Sequence, residues 1–342
     1  MTTAVNSPAA ETAGYPALTG VGAARLAAGP WRIAVVGAGG WLGLATLELL
    51  HGLMGDQFHA RVRCFGSAVR SLELRGGLVV EQAPLSQLAA LPPAPTLVLH
   101  LAFLTQEKAK VMSEADYIDA NTAISAEVLA ALDTIGAEGV FFPSSGAVYK
   151  VDEADAQASM RLYGRLKLDD EARFADWATA RGKRAVIARV FNLSGPYINK
   201  QSSYALACFI ADALAGRPIE IKATRPVLRS YVAISELMSV VFGVLTDGEP
   251  GPVLFDTAGD TVVEMGEIAQ TVSAGMDHQA GVSRPPLDDA AADRYVGDPS
   301  AYRVLRHRFV VESVDFPGQV VETAQYMSTA THVGDRGAPK PR

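Results

Sequence analysis

Short apolar runs, each followed by a turn and then a segment of helical period, recur from residue 32 to residue 190. Ile33-Ala-Val-Val36 predicts a buried strand, and Leu42 to about Leu53 predicts a helix directly after it. Ala60-Arg-Val-Arg-Cys-Phe65 alternates and predicts a second strand, closed by Gly66-Ser67. Leu78-Val-Val80 predicts a third strand, and Thr96-Leu-Val-Leu-His100, after a Pro-rich turn, a fourth. A long helical pattern from about Ala115 to Ile135 follows, with Asn121 inside it. Gly139-Val-Phe-Phe142 predicts a fifth strand, Leu162 to about Ala180 a helix, and Arg184–Val190 a sixth strand. Such alternation argues for an α/β fold with a doubly wound parallel sheet of the Rossmann type, whose ligands lie beyond the carboxyl ends of the strands.

After Gly195-Pro196 the alternation loosens. Short helices (Tyr204–Ala215, Ser235–Leu245, Met265–Ala274) mix with apolar pieces such as Pro218–Ile221 and Val253–Phe255, which predicts a smaller C-terminal substrate-binding region without a clear linker. The expected organisation is a flexible or loosely docked extension over 1–30, a dinucleotide-binding domain over 31–195, a mixed α/β region over 196–329 and a flexible tail over 330–342.

Composition narrows the function classes. The 342 residues are 49% hydrophobic and 20% charged, enough for one large or two modest domains. Net charge is -7 and no block of lysine or arginine occurs, which argues against a nucleic-acid partner. No apolar run reaches bilayer length, and no apolar stretch typical of a signal peptide precedes Arg25. Cys64 and Cys208 form neither a metal-ligand pattern nor a disulfide framework, so no metal and a reducing cytoplasm are expected.

Three stretches carry candidate chemistry. Gly37-Ala-Gly-Gly-Trp-Leu-Gly43 joins the first strand to the first helix, with glycines spaced G-x-x-G-x-x-G. Gly37 permits a tight turn, Gly40 a close approach to a pyrophosphate, and Gly43 close packing of helix on strand. The helix N-terminus offers free N–H groups to phosphate. Pro143-Ser-Ser-Gly-Ala-Val-Tyr149 ends the fifth strand with hydroxyls facing the crevice. Tyr163 and Lys167 stand at i and i+4 on one helix face. A free tyrosine titrates near pH ~10. An adjacent ammonium favours the phenolate, so the pair can move a proton to or from a sugar hydroxyl.

Together these residues resemble an extended short-chain dehydrogenase/reductase of the NAD-dependent epimerase/dehydratase family. The resemblance runs from about Arg32 to Tyr326. It also draws on His100-Leu-Ala-Phe103, Asn121, Arg189-Val-Phe-Asn-Leu-Ser-Gly-Pro196, Arg229-Ser-Tyr-Val-Ala-Ile234 and Val296-Gly-Asp-Pro-Ser300. It implies a catalytic set of Ser145, Tyr163 and Lys167, with Tyr163 as acid/base. It implies a cofactor site of Gly37, Gly40, Trp41, Leu42, Gly43, Gly66, Ser67, Arg70, Leu101, Ala102, Tyr163 and Lys167. Ser144, Asn192 and Arg229 are expected to meet a nucleotide-sugar substrate. A second arginine is expected shortly before Val296-Gly-Asp298, with Arg284 chosen and Arg294 the alternative.

The implied reaction is epimerisation of a nucleotide-activated sugar through transient oxidation at C4. A ketosugar reductase and a catalytically idle nicotinamide-binding sensor are the alternatives. A homodimer through the helices near Asn121 and Tyr163 follows by analogy. The pattern departs from the family in a short Ser145-to-Tyr163 connection, in Leu166, and in Ser235 where aspartate is common. It also lacks the Asp-Glu pair of sugar dehydratases beside Ser145, which disfavours dehydration. No Asp or Glu lies between Asp56 and Glu73, while Arg63, Ser67 and Arg70 do. That favours NADP over NAD. The other reading leaves Arg70 as a solvated charge and binds NAD through backbone groups.

Overall fold

Strand β1 (Arg32–Val36) sits inside an eight-stranded sheet because both of its faces are apolar, and Ile33 to Val36 are fully buried. The computed structural model describes residues 15–334. The first strands in chain order are β2 (Val62–Gly66), β3 (Arg70–Glu73), β4 (Val79–Pro84), β5 (Thr96–His100), β6 (Ala137–Ser145) and β7 (Arg184–Val190). Strand β8 (Val227–Arg229) lies outside this sheet, and β9 (Gly251–Asp256) completes it. The spatial order is β9-β7-β6-β5-β1-β2-β4-β3, parallel throughout except for β3 against β4. The order reverses at β1, between β2 and β5, so the crevice of this Rossmann-like sheet opens there.

Alternate residues feed two cores. Ile33, Val35, Leu97, Leu99 and Phe141 face one, and Ala34, Val36, Val98, Val140 and Phe142 the other. Helix α1 (Gly20–Ala28), α2 (Trp41–Met54) and a later crossover helix, α6 (Ile234–Asp247), cover the first side. Helices α3 (Glu114–Thr134) and α4 (Ala158–Arg181) cover the second, through Val128, Leu132, Phe174 and Ala178. A smaller layer holds α5 (Ala205–Leu214), β10 (Val263–Glu264), α7 (Met265–Gly275), β11 (Asp293–Tyr295), α8 (Pro299–Arg308) and α9 (Phe316–Gly334). In it β8 pairs antiparallel with β10 and parallel with β11.

The expected outline needs four corrections. The extension over 1–30 is not merely flexible. Residues 1–14 lie outside the described residues, but α1 is a docked helix with Leu26 fully buried. It crosses the crossover helix Ile234–Asp247 so closely that a Cβ on Gly22 would lie 2.3 Å from Gly243 N. Thr19 N donates to Ser239 Oγ at 3.0 Å, and Arg25 pairs with Asp247 at 2.6 Å.

The boundary at 195 is crossed. Every residue from Ile234 to Thr246 is buried under the sheet, and β9 extends the sheet beside β7. Strand β3 was not read at all, because only Leu72 of its four residues is buried and an edge strand shows little pattern. Finally, α9 runs to Gly334, so the tail expected from 330 begins as helix; residues 335–342 lie outside the described residues. Among the described residues no helix is long and apolar enough to cross a membrane.

A docked α1 makes a measurable contribution. Leu26→Ala should lower the unfolding free energy by about 2–5 kcal/mol, the usual range for truncating a buried leucine. Urea denaturation checks this, and an unchanged midpoint would mean that α1 does not hold to the sheet.

Candidate active site

The glycine loop is shaped by its neighbours. Gly37 has φ 86, and a Cβ there would lie 2.6 Å from Ala102 N, so the loop rests on the Leu101-Ala102 turn. Gly37 N and Ala38 N both donate to Phe65 O, at 2.8 and 3.2 Å. Gly43 brings α2 so close that a Cβ would lie 2.4 Å from Ala38 O. Gly40 caps α2 without any side-chain hydrogen bond, which leaves the first N–H groups of a 14-residue helix open to a phosphate. The loop, Gly66-Ser67 and Leu101-Ala102 therefore meet at the carboxyl ends of β1, β2 and β5. This concave backbone, with no room for a Cβ at Gly37 or Gly43, suits a dinucleotide pyrophosphate.

Arg70 projects from the first position of β3 over this loop. A Cβ on Gly39 would lie 1.6 Å from Arg70 Nη2. Among the described residues no hydrogen bond or ion pair holds that guanidinium, and Ser67 beside it is exposed. Trp41 turns outward from the loop: its Nε1 donates to Pro196 O at 2.8 Å, and its ring lies 5.4 Å from Tyr204. Leu42 packs against the first core.

Ser145 ends β6, and Tyr163 and Lys167 project from α4. Ser145 Oγ accepts from Ala147 N at 3.1 Å, and the phenols of Tyr163 and Tyr295 lie near enough to be influenced by it. Lys167 does not reach Tyr163. Its Nζ donates to Pro143 O at 2.8 Å, sits 3.8 Å above the Phe103 ring and stays 5.8 Å from the Tyr163 ring centre. Burial pulls the Lys167 ammonium down to about 7, against the opposing pull of Asp170 and Glu171. Burial also pushes the Tyr163 phenol up, with Tyr295 and Tyr117 adding to the shift. The expected depression of the tyrosine by Lys167 is thus absent in this arrangement, because the charge is directed at a carbonyl and a ring face. Asn121 holds the Phe103-Leu104 turn in place: its Oδ1 accepts from Leu104 N at 2.8 Å.

The expected substrate residues divide. Strand alternation sends Ser144 to the opposite side from Ser145, where its Oγ donates to Glu171 Oε1 at 2.5 Å. Glu171 is also gripped by Arg189 at 2.9 and 2.8 Å, and Arg189 Nη1 donates to Tyr149 Oη, which donates to Asp256. Ser144 is thus held by Glu171 in this structure. Asn192 spends its amide on Ser230 O and Tyr295 O, at 3.1 and 3.3 Å, and borders the cleft as a brace.

Arg229 lines a pocket of about 160 Å³ with Asn192, Tyr204, Tyr231 and Met265. Its Nη2 pairs with Asp293 at 3.1 Å. The pocket shares Ser203, Ala205 and Met265 with a larger cleft of about 770 Å³ that Phe209, Arg217 and Lys222 also border. Arg284 does not join this set. It forks onto Glu264 at 2.7 and 2.9 Å and donates to Ala223 O and Arg225 O, closing the turn before α7. Burial raises the Glu264 carboxyl, but the fork and the N–H groups of Gly266 and Val227 outweigh it and hold the group at about 2. The alternative, Arg294, is the exposed middle residue of β11.

Sequence reasoning missed Tyr295, Asp293 and Phe103. The signal for the first two is alternation: immediately before Val296-Gly-Asp298, residues 293 and 295 share one face of a strand and 294 takes the other. Phe103 stood within a quoted motif, but nothing in a single sequence showed that its ring would lie under Lys167.

Comparison with known proteins bears on the family and the fold. A UDP-glucose 4-epimerase of Azospirillum brasilense is 28% identical over 271 residues, covering 71% of this chain and 76% of that protein. A UDP-glucose 4-epimerase of Rhizobium meliloti is 31% identical over 107 residues, covering 30% of this chain and 33% of that protein. The Bordetella bronchiseptica enzyme WbmF, solved in complex with NAD+ and UDP, superposes with a TM-score of 0.71 at 16% identity, over 90% of this chain and 94% of that one. At that identity the superposition speaks for the fold alone. The profile of the NAD dependent epimerase/dehydratase family matches residues 33–254, and with well over half its length so matched the chain belongs to that family.

Proposed function

We propose that the chain is a nicotinamide-dependent enzyme acting on a nucleotide-activated sugar, with epimerisation at C4 as its net reaction. The observation that carries this reading is the meeting of Ser145 and Tyr163, from separate elements, between the glycine loop and the Arg229 pocket. Tyr204 links the two halves, since it borders that pocket and acts electrostatically on Tyr163. The Azospirillum relative, matched over 76% of its length, supports the same reaction class.

A cofactor bound on the glycine loop supplies oxidation and reduction of the sugar carbon. The residues of the chain handle the proton and the pose. Tyr163 takes the proton of the C4 hydroxyl and later returns it, while Ser145 hydrogen-bonds the same oxygen. A swing of Lys167 away from Pro143 O brings its charge to the phenol and favours proton removal. Arg229, freed from Asp293, gives the diphosphate two parallel charge-assisted bonds. The keto sugar turns over between the two half-reactions, so its anchor is the nucleotide end and not the sugar.

Arg70 favours a second reading. A guanidinium over the glycine loop, with no Asp or Glu between Asp56 and Glu73, suits a 2′-phosphate, and an exchangeable NADPH suits a one-way ketosugar reductase.

Three measurements test these assignments. Tyr163→Phe should cut turnover by about 10²–10⁴-fold with the fold intact, the usual contribution of acid/base catalysis. Retention of more than about a tenth of the wild-type rate would end the acid/base role. Arg229→Ala should weaken UDP binding, read by calorimetry, without changing cofactor binding, and unchanged UDP affinity would remove Arg229 from the site. In the stripped protein NADPH should bind more tightly than NADH, and Arg70→Ala should erase that difference. Equal or tighter NADH binding, unaffected by the substitution, would rule out the phosphate site and favour the epimerase.

A further inference from the structure

Three hydroxyl groups converge at the end of β6, and one of them comes from the far side of the cleft. Ser145 Oγ has one proton to give and two lone pairs to receive. The N–H of Ala147 takes one lone pair. Two phenols lie near the capacity that remains, Tyr163 from α4 and Tyr295 from β11. Tyr295 is fixed there from three directions. Its ring lies 4.7 Å from that of Phe191, its carbonyl accepts from Asn192, and its backbone pairs in register with Arg229. A Cβ on Gly146 would lie 2.7 Å from the Tyr295 hydroxyl, so that hydroxyl occupies room that only glycine leaves in the turn after Ser145.

Resting on the reading above, we propose that Tyr295 is a third hydroxyl of the reaction centre, bonding the substrate sugar at the hydroxyl next to the carbon served by Ser145 and Tyr163. The hydrogen-bond balance leads there. A sugar oxygen that enters between Ser145 and Tyr163 takes up the remaining Ser145 capacity. The Tyr295 phenol, held beside Gly146, then needs an acceptor of its own, and vicinal sugar oxygens lie about one hydrogen-bond length apart. Burial pushes its pKa up, so Tyr295 keeps its proton and acts as a donor, which leaves the proton shuttle to Tyr163. Because β11 is paired with the strand that carries Arg229, one small sheet sets the distance between the diphosphate anchor and the sugar contact.

The rival role for Tyr295 is to hold Ser145 in place and touch nothing else. Calorimetry on the full chain separates the two, using UDP, UDP-glucose, UDP-N-acetylglucosamine and UDP-glucuronate against wild type, Tyr295→Phe, Ser145→Ala and the double variant. The phenylalanine keeps the stack on Phe191, and circular dichroism checks that the fold survives. Tyr295→Phe should leave UDP affinity unchanged and weaken the best-bound nucleotide sugar about threefold to tenfold, the loss of one neutral hydrogen bond. The same loss should appear in the Ser145→Ala background. A sugar affinity unaffected by Tyr295→Phe, or affected only while Ser145 is present, overturns the proposal and leaves Tyr295 as a prop. If no nucleotide sugar binds wild type more tightly than UDP does, the sugar finds no donor in the cleft and the proposal falls while the diphosphate reading stands. If UDP itself does not bind, both fall.

Discussion

The site depends on one close backbone contact, Gly37 against the Leu101-Ala102 turn. Adjacent parallel strands lie about 4.8 Å apart, which leaves no space for a side chain between loops that leave β1 and β5 in opposite directions. Removing the Cβ lets the two turns touch and still diverge. That divergence opens the crevice. Leu101 N bonds Val36 O at 2.7 Å, so the strand ladder runs to the last residue before the glycine loop. From this point α2 departs on one side and the Phe103-Leu104 turn on the other, and the turn is pinned in its turn by Asn121.

Polar groups behind Ser145 are joined in one hydrogen-bonded network. Ser144 and Ser145 share a dipeptide but serve opposite sides, one bonded to Glu171 and the other lying between two phenols. The Glu171 carboxylate collects Ser144 and both arms of Arg189, and through Tyr149 the network reaches Asp256 at the end of β9. A half-filled network of this kind is worse than an apolar core. Strands β6, β7 and β9 are thereby tied at the end where the reaction centre stands.

Legibility in the sequence followed the strength of the local pattern. Thr96–His100 and Arg184–Val190 were read to the residue, because buried parallel strands show as apolar runs, Leu97 to Leu99 in one and Ala185 to Ala188 in the other. Helix α1 was hidden by its Ala- and Gly-rich composition, which looks like a linker yet is what a close crossing of two helices requires. Strand β9 was seen as an apolar fragment, but only long-range pairing with β7 could place it in the main sheet. At the site, Ser145 and Tyr163 were singled out by their motifs, and the fold packs the helix that carries Tyr163 against the strand that ends in Ser145. Arg284 misled because sequence proximity to Val296-Gly-Asp298 says nothing of a nearby carboxylate, and Glu264 claims both of its guanidinium arms. Tyr295 needed the strand phase of three residues that carry almost no pattern of their own.

The crossing of α1 and the Ile234–Asp247 helix has a consequence for biosynthesis. The hydrogen bond from Thr19 to Ser239 spans 220 residues. At ~5–20 residues per second a ribosome needs roughly 10–45 s to deliver that partner after α1 has been made. Through that interval the helix that packs most closely on α1 is missing, and the first β-strands lack part of the cover on that face. Closure of this layer is therefore a late event of high contact order. The nascent chain must keep its first helix from other apolar surfaces until the helix that receives it has emerged.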